Sequence, residues 1–229
     1  MGGASMGGKK ARPTTARVPV SWSQGLRSTS VDSEMQQADV IGFDDPRSML
    51  TDLENEHDQP FVVYLTGKSK EAKKRQGLLN AAFLDQRVGI AAQVTCMIKG
   101  AGDDIDNEHP FYRHIPGDVL PRVAVFAADG TKIGQLNGKA TPGDVIELVD
   151  EAFARSYEGD LPKIRKAYAK LLTVMETLKS KKNLLDDEFL TAETRSKERK
   201  LEKKLAGLSK EADKLQAQKK KLLELKRRS

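Results

Sequence analysis

The chain has 229 residues, of which 38% are apolar, 5% aromatic and 31% charged, and its mean hydropathy is −0.55. This composition is too polar for one core along the whole length, so part of the chain is expected to be extended or exposed. No apolar run approaches the roughly 20 residues of a membrane-spanning helix.

Charge is distributed unevenly along the sequence. Residues 1–30, 31–160 and 161–229 carry net charges of +5, −10 and +11, so an acidic middle lies between two basic ends. We therefore expect three domains: a flexible basic N-terminal arm (1–39), a globular α/β domain (40–159) and a basic helical tail (160–229).

The first thirty residues contain no apolar stretch of the kind found in secretory signal peptides. A cytoplasmic location is therefore the default expectation. An organellar transit peptide stays open because this region is basic, free of acids and rich in Ser and Thr, although Pro13 and Pro19 would interrupt its amphipathic helix. Met6 stands where the myristoylation pattern requires Ser or Thr.

From residue 45 onward the sequence predicts a short helix, a strand and a longer helix. Asp45 before Pro46 is an N-cap followed by proline at the first helical position. The apolar stretch from Phe61 to Leu65 predicts a strand that is covered on both faces. A helix is expected from about Ser69 to Leu84. Its inward-facing residues are expected to be Leu78, Leu79, Ala82 and Phe83.

The rest of this domain predicts a second strand over Val88 to Ile98, a loop with a short helix, a hairpin and a final helix. Asp129-Gly130 is the strongest hairpin signal in the chain. Thr141, with Pro142 and Asp144 behind it, predicts an N-cap box. The apolar stripe of the final helix is Val145, Ile146, Leu148, Val149 and Phe153. This order of elements indicates an α/β layer with one antiparallel pair.

The element order, the stretch LPRVAVF with Pro121 directly before a central strand, the ADG hairpin and the last amphipathic helix resemble the thioredoxin-like superfamily over about residues 40–157. The resemblance implies that Pro121, following Leu120, is the family's cis-proline beside the active site. It also implies two redox cysteines in the stretch TGKSKEAKK. Those positions fall at Lys70 and Lys73, within one residue, and neither is a cysteine. Dithiol exchange needs an attacking thiolate and a resolving thiol, so we expect a member without the CxxC redox pair.

The same junction is a candidate anion-binding helix start, formed by Gly67, Lys68, Ser69 and Lys70. Its cations are Lys68, Lys70, Lys73, Lys74 and Arg75. Each cation there is disfavoured by about 0.3–1 kcal/mol, and a bound anion would offset that cost. The alternative is a solvated lysine face. A nucleotide-binding phosphate loop is excluded, because Val62 stands where its first glycine belongs.

Cys96 and the polar loop after it are two further candidates for a chemical site. Cys96 is the only cysteine and lies in an apolar run, so we expect it to be buried and inert. The polar loop after it carries six potential metal ligands, namely Asp103, Asp104, Asp106, Glu108, His109 and His114. Their spacing matches neither an EF-hand nor a zinc pattern, so a solvated loop is expected. The sequence therefore predicts no catalytic residue, metal or cofactor.

The tail carries two heptad seams. The first is Ile164, Tyr168, Leu171, Met175, Leu178, Lys182, Leu185, Phe189 and Ala192, and the second is Leu201, Leu205, Leu208, Ala212, Leu215, Lys219 and Leu222. The two runs are out of frame, because Ala192 and Leu201 are nine residues apart. Either the helix turns back as an antiparallel hairpin near residues 186–196, or it continues as an extended coiled coil with a local discontinuity and reaches another chain.

The tail ends in a basic cluster that could contact an anionic partner, formed by Lys219, Lys220, Lys221, Lys226, Arg227 and Arg228. The function we expect is that of a non-catalytic structural or adaptor protein, which docks on protein partners through the domain and tail and can self-associate through the coil. One alternative is a nucleic-acid-associated assembly factor bound through its basic ends. The other is a redox protein that uses Cys96 alone.

Overall fold

The computed structural model of the protein describes residues 18–24, 45–50 and 59–228. The chain is mixed α/β, with a sheet followed by long C-terminal helices, and it forms two compact units. The sheet unit contains the described residues up to Ala167 together with those from Lys221 onward, and the hairpin unit contains Tyr168–Lys220.

The sheet has five strands: β1 (Ser23–Gln24), β2 (Phe61–Thr66), β3 (Cys96–Ala101), β4 (Arg122–Phe126) and β5 (Lys132–Asn137). Their order across the sheet is β1-β3-β2-β4-β5. The pairs β1–β3 and β2–β3 are parallel, whereas β2–β4 and β4–β5 are antiparallel. Because β2 lies at the centre, it is covered on both faces, as its continuous apolar sequence predicts.

Three helices cover one face of the sheet: α1 (Lys70–Phe83), α2 (Gln86–Ala91) and α3 (Pro142–Ser156). Side chains alternate along each strand, so Val62 and Tyr64 of β2 pack towards these helices while Phe61, Val63 and Leu65 pack on the opposite face. That opposite face is covered by Leu50 and by side chains of the loop between β3 and β4. Two short 3₁₀ turns, Gly102–Asp104 and Pro110–Arg113, lie in this loop.

Elements with a strong local signal form where the sequence predicts them. Thr141 caps α3 through a reciprocal box, because its hydroxyl accepts from the Asp144 N–H and its own N–H donates to the Asp144 carboxylate. Gly130 takes a φ of +83° in the β4–β5 hairpin, which glycine adopts without strain. Asp45 caps a 3₁₀ turn, Pro46–Met49, in place of the expected helix start, and the rest of that predicted helix lies outside the described residues.

The predicted strand over Val88 to Ile98 is wrong in its first half, where the chain forms α2. Asp85 starts that helix by accepting a hydrogen bond from the Arg87 N–H at 2.8 Å. A short apolar run does not distinguish a buried helix from a buried strand, and here the cap and tertiary packing decide. The strand β3 begins only at Cys96.

Two burial predictions also need correction. Leu78 was expected to face inward, but it is 55% exposed, whereas Leu79, Ala82 and Phe83 are buried. Residues 18–24 were assigned to the flexible arm, but they belong to the sheet unit. The Trp22 ring packs 4.8 Å from the Phe83 ring and 5.5 Å from the Tyr64 ring, so apolar burial holds this segment beside β3.

The tail forms a helical hairpin of α4 (Leu161–Leu190) and α5 (Arg195–Leu222). The Lys219 ammonium lies 5.6 Å from the centre of the Tyr168 ring, and Met175 lines the same gap as Ala212. From the first pair to the second, the residue number rises by seven along α4 and falls by seven along α5. The two helices therefore run antiparallel. Of the two geometries left open by the sequence, the structure has the hairpin. No described helix is long and apolar enough to cross a membrane.

The sheet unit also contains the start of α4 and the residues that follow α5. Leu161, at the start of α4, is only 1% exposed and belongs to the helix-side core. After α5, Leu223 and Leu225 pack against the same core. The chain then ends in β7 (Lys226–Arg227), which pairs antiparallel with β6 (Tyr157–Glu158). The last residues of the expected tail are thus part of the sheet unit.

Candidate functional site

The junction between β2 and α1 is built around a buried glycine. Gly67 follows the strand, and its carbonyl accepts a hydrogen bond from the Gln76 amide at 2.7 Å. Ser69 caps α1, with its hydroxyl accepting from the Ala72 N–H at 3.1 Å. Ala72 is buried, whereas Lys70 and Lys73 are exposed. The first turn of α1 thus turns Ala72 inward and its lysines towards solvent.

The proline loop lies directly beside this junction. The Leu120–Pro121 peptide bond is cis, the conformation that the resemblance implies at this position. A Cβ atom on Gly67 would lie 2.7 Å from the Ala72 Cβ and 3.0 Å from the Leu120 Cβ. A Cβ on Gly102 would lie 2.4 Å from the Leu120 Cδ2. The Leu120 side chain therefore occupies space that exists only because both neighbours are glycine.

Two carboxylates of the β3–β4 loop contact Lys68 beside the helix start. The Lys68 N–H donates to the Asp103 carboxylate at 2.7 Å, and the Lys68 ammonium lies 3.3 Å from the Asp104 carboxylate. These contacts join two groups that the sequence treated separately, the candidate anion site and the candidate metal ligands. At Lys68, the anion beside the helix start is one from the chain itself.

Asp106 and His109 of this loop form local turns. Asp106 accepts hydrogen bonds from the N–H groups of Glu108 and His109, each at 3.1 Å. The His109 Nδ1 accepts from the Phe111 N–H at 3.0 Å and so caps the second 3₁₀ turn. Burial lowers the pKa of His109, with a smaller opposing effect from Asp106. Across the described residues, no three His, Cys, Asp or Glu side chains come together as a metal site would need.

Cys96 lies at the start of β3 and is 3% exposed. Its neighbours in the core include Phe61 and Ile98. A functional thiol needs contact with its oxidant or disulfide partner, and an apolar setting also disfavours the thiolate. In this conformation the position agrees with an inert core cysteine.

The structure also reveals a buried cation that sequence reasoning missed. Arg122, directly after the cis-proline, is 2% exposed, and its Nη1 and Nη2 atoms donate to the carbonyls of Ile115 and Ile105 at 2.7 and 3.4 Å. Its guanidinium lies 5.8 Å from the centre of the Tyr112 ring. Burial lowers its pKa, although Tyr112 and Asp118 act in the opposite direction. The only sequence signal was an arginine at the head of an otherwise apolar strand.

The predicted basic cluster at the C-terminus contains residues of both units. Lys219 and Lys220 belong to the hairpin unit, and the others belong to the sheet unit. The Lys226 ammonium pairs with Glu158 at 2.9 Å, and the Arg228 N–H and Nε donate to the carbonyls of Ser156 and Tyr157 at 3.1 and 3.0 Å. Several of these cations therefore hold the chain end in place.

The hairpin unit contains an apolar gap between its two helices, with a volume of about 540 Å³. Its apolar lining consists of Leu172, Met175, Leu178, Ala212 and Leu215. Lys179, Lys182 and Glu176 lie at its edge. The seam lysine Lys182, which the sequence placed among apolar positions, is exposed at this edge.

No protein-family model matches this sequence, and comparison with curated proteins finds no match either.

Proposed function

We propose that this chain is a non-catalytic scaffold, in which a redox-inactive thioredoxin-like domain presents a helical hairpin to protein partners. The observation that carries the proposal is that the start of α4 and the residues after α5 both belong to the sheet unit. Leu161, at the start of α4, is buried in the helix-side core. After α5, Leu223 and Leu225 pack against the same core, and β7 pairs with β6.

The thioredoxin-like part of the proposal is supported by the neighbourhood of the proline loop. Leu120, next to Pro121, packs against Gly67 at the end of a central strand, where the resemblance implies an active site. The two cysteine positions that the resemblance implies, Lys70 and Lys73, are both exposed at the start of α1. Neither carries a thiol, and Cys96 is buried.

The test compares two activities of the full chain. We expect reduction of insulin disulfides to stay at background, because the junction has no thiolate attacker. For the scaffold role, residues 168–220 are replaced by a Gly/Ser linker, and Trp22 fluorescence is used to check that the sheet unit remains folded. The proteins captured from the native source by the full chain should be lost with this variant. Capture of the same proteins without the hairpin, or turnover of insulin, would contradict the proposal.

A further inference from the structure

The face of α5 opposite its apolar seam carries a regular row of cations. The row occupies one helical stripe at steps of three or four residues: Ser196, Arg199, Lys203, Gly207, Lys210, Lys214 and Ala217. At 100° per residue these positions lie on the side of α5 away from Leu201, Leu208 and Leu215. All seven are exposed, and all belong to the hairpin unit.

This row contains four cations, three small residues and no acid. The acids of α5 are Glu198, Glu202, Glu211 and Asp213. None stands in the row, but Glu202, Asp213 and Glu211 flank it, three residues from Arg199, Lys210 and Lys214 respectively. A solvated helix face usually mixes charges, with Glu and Lys four residues apart. Within the part of the chain that the structure describes, none of the four cations makes an ion pair with a carboxylate. The row therefore presents four cations, with no acid among them, along one line.

We propose that this row, Arg199, Lys203, Lys210 and Lys214, binds the phosphate backbone of double-stranded nucleic acid without reading its sequence. From Arg199 to Lys214 the helix rises about 22 Å. Duplex DNA carries one negative charge per roughly 1.7 Å of its axis, so a segment of that length carries about a dozen phosphates, distributed around the duplex. Because phosphates repeat all along the duplex, the row needs no particular register on it.

The small residues and the missing aromatics favour a duplex over other polyanions. Gly207 lies between Lys203 and Lys210, and a Cβ added there would meet nothing within 4 Å, so the helix backbone is open to close approach. The row has no aromatic side chain on which unpaired bases could stack. It also has no large apolar residue to enter a membrane interface. This surface differs from the predicted C-terminal cluster and goes beyond the proposed scaffold role.

The experiment measures binding of the full chain to a fluorescent duplex of about 20 base pairs by anisotropy between roughly 50 and 200 mM salt. Four phosphate contacts predict a slope of log affinity against log salt of about −3.6, which is roughly a hundredfold loss across that range. Replacing all four row cations by Gln should weaken binding at the lowest salt by at least about tenfold and bring the slope close to zero.

The matched control removes the same number of charges from exposed lysines outside the row. Its four substitutions are Lys170→Gln, Lys181→Gln, Lys197→Gln and Lys204→Gln. We expect this variant to lose less than about threefold in affinity, because net charge acts only at long range through salt screening. Equal losses in both variants would assign binding to net charge and overturn the proposal.

A single position provides a second test. Gly207→Glu and Gly207→Gln both replace an exposed helical glycine and should stabilise α5 by similar amounts. Only the Glu variant places a negative charge inside the row, so only it should weaken duplex binding, by about threefold or more at low salt. No duplex binding by the unaltered chain would overturn the proposal. Equal affinity for a single strand, for polyglutamate or for phosphatidylserine vesicles would also overturn it, and would assign the row to that class of anion.

Discussion

Ser156 joins three parts of the sheet unit, two of them through its hydroxyl, and we expect removal of that hydroxyl to lower the stability measurably. Its hydroxyl accepts from the Ala128 N–H at 2.9 Å, beside the β4–β5 hairpin, and donates to the Ala152 carbonyl at 2.7 Å. Its own carbonyl accepts from the Arg228 N–H at 3.1 Å. Both hydroxyl bonds are buried, so Ser156→Ala leaves the Ala128 N–H without a partner and without access to water.

An unpaired buried donor costs about 1–3 kcal/mol, so we expect Ser156→Ala to lower the free energy of unfolding by about 2 kcal/mol. With a urea dependence of about 2 kcal/mol per molar, the unfolding midpoint should fall by about 1 M. Trp22 is the only tryptophan and packs in the sheet unit, so its fluorescence follows that unit during unfolding.

Ser180→Ala is the control, because the Ser180 hydroxyl also donates to a carbonyl four residues back, that of Glu176 at 3.1 Å. That serine is exposed in α4 and leaves no buried donor, so its change should stay within about 0.5 kcal/mol by both fluorescence and helical circular dichroism. Equal and small shifts in the two variants would show that the Ala128 N–H finds another partner, and would refute the reasoning.

Two further predictions concern the junction glycine and a buried tyrosine. Gly67→Ala should destabilise the sheet unit by about 1–3 kcal/mol because its Cβ would meet the Ala72 Cβ at 2.7 Å, whereas Gly77→Ala, which meets nothing within 4 Å, should stabilise α1 by about 0.5–1 kcal/mol. Urea unfolding measures both, and a stable Gly67→Ala protein would argue against the tight packing of Leu120. Burial raises the pKa of Tyr64 to about 12, above the ordinary value of 10.0. The neutral phenol is favoured in the fold, so its stabilising effect is complete below pH 10 and disappears as pH rises towards 12. In Tyr64→Phe the latest step of the spectrophotometric tyrosine titration should vanish, and its persistence would assign that step to another tyrosine.

The sequence alone determined the elements whose signals are local. The Thr141 box and the Asp129-Gly130 turn each act within a few residues, because a helix or hairpin end must satisfy its own backbone donors and torsion angles. The continuous apolar sequence of β2 likewise follows from its central place in the sheet. At the candidate site, the absence of a cysteine pair at the junction needed only the sequence.

Tertiary structure decided everything that depends on partners distant in the chain. The run from Val88 to Ile98 is apolar without a clear period, so packing divided it between α2 and β3. The Lys68 N–H donates to the carboxylate of Asp103, 35 residues away. The Lys226 ammonium donates to the carboxylate of Glu158, 68 residues away. The two out-of-frame heptad runs were compatible with an extended coil or a hairpin. The choice between them, and the burial of Arg122, depended on which surfaces meet when the chain folds back on itself, because a local pattern shows which face is apolar but does not identify what covers it.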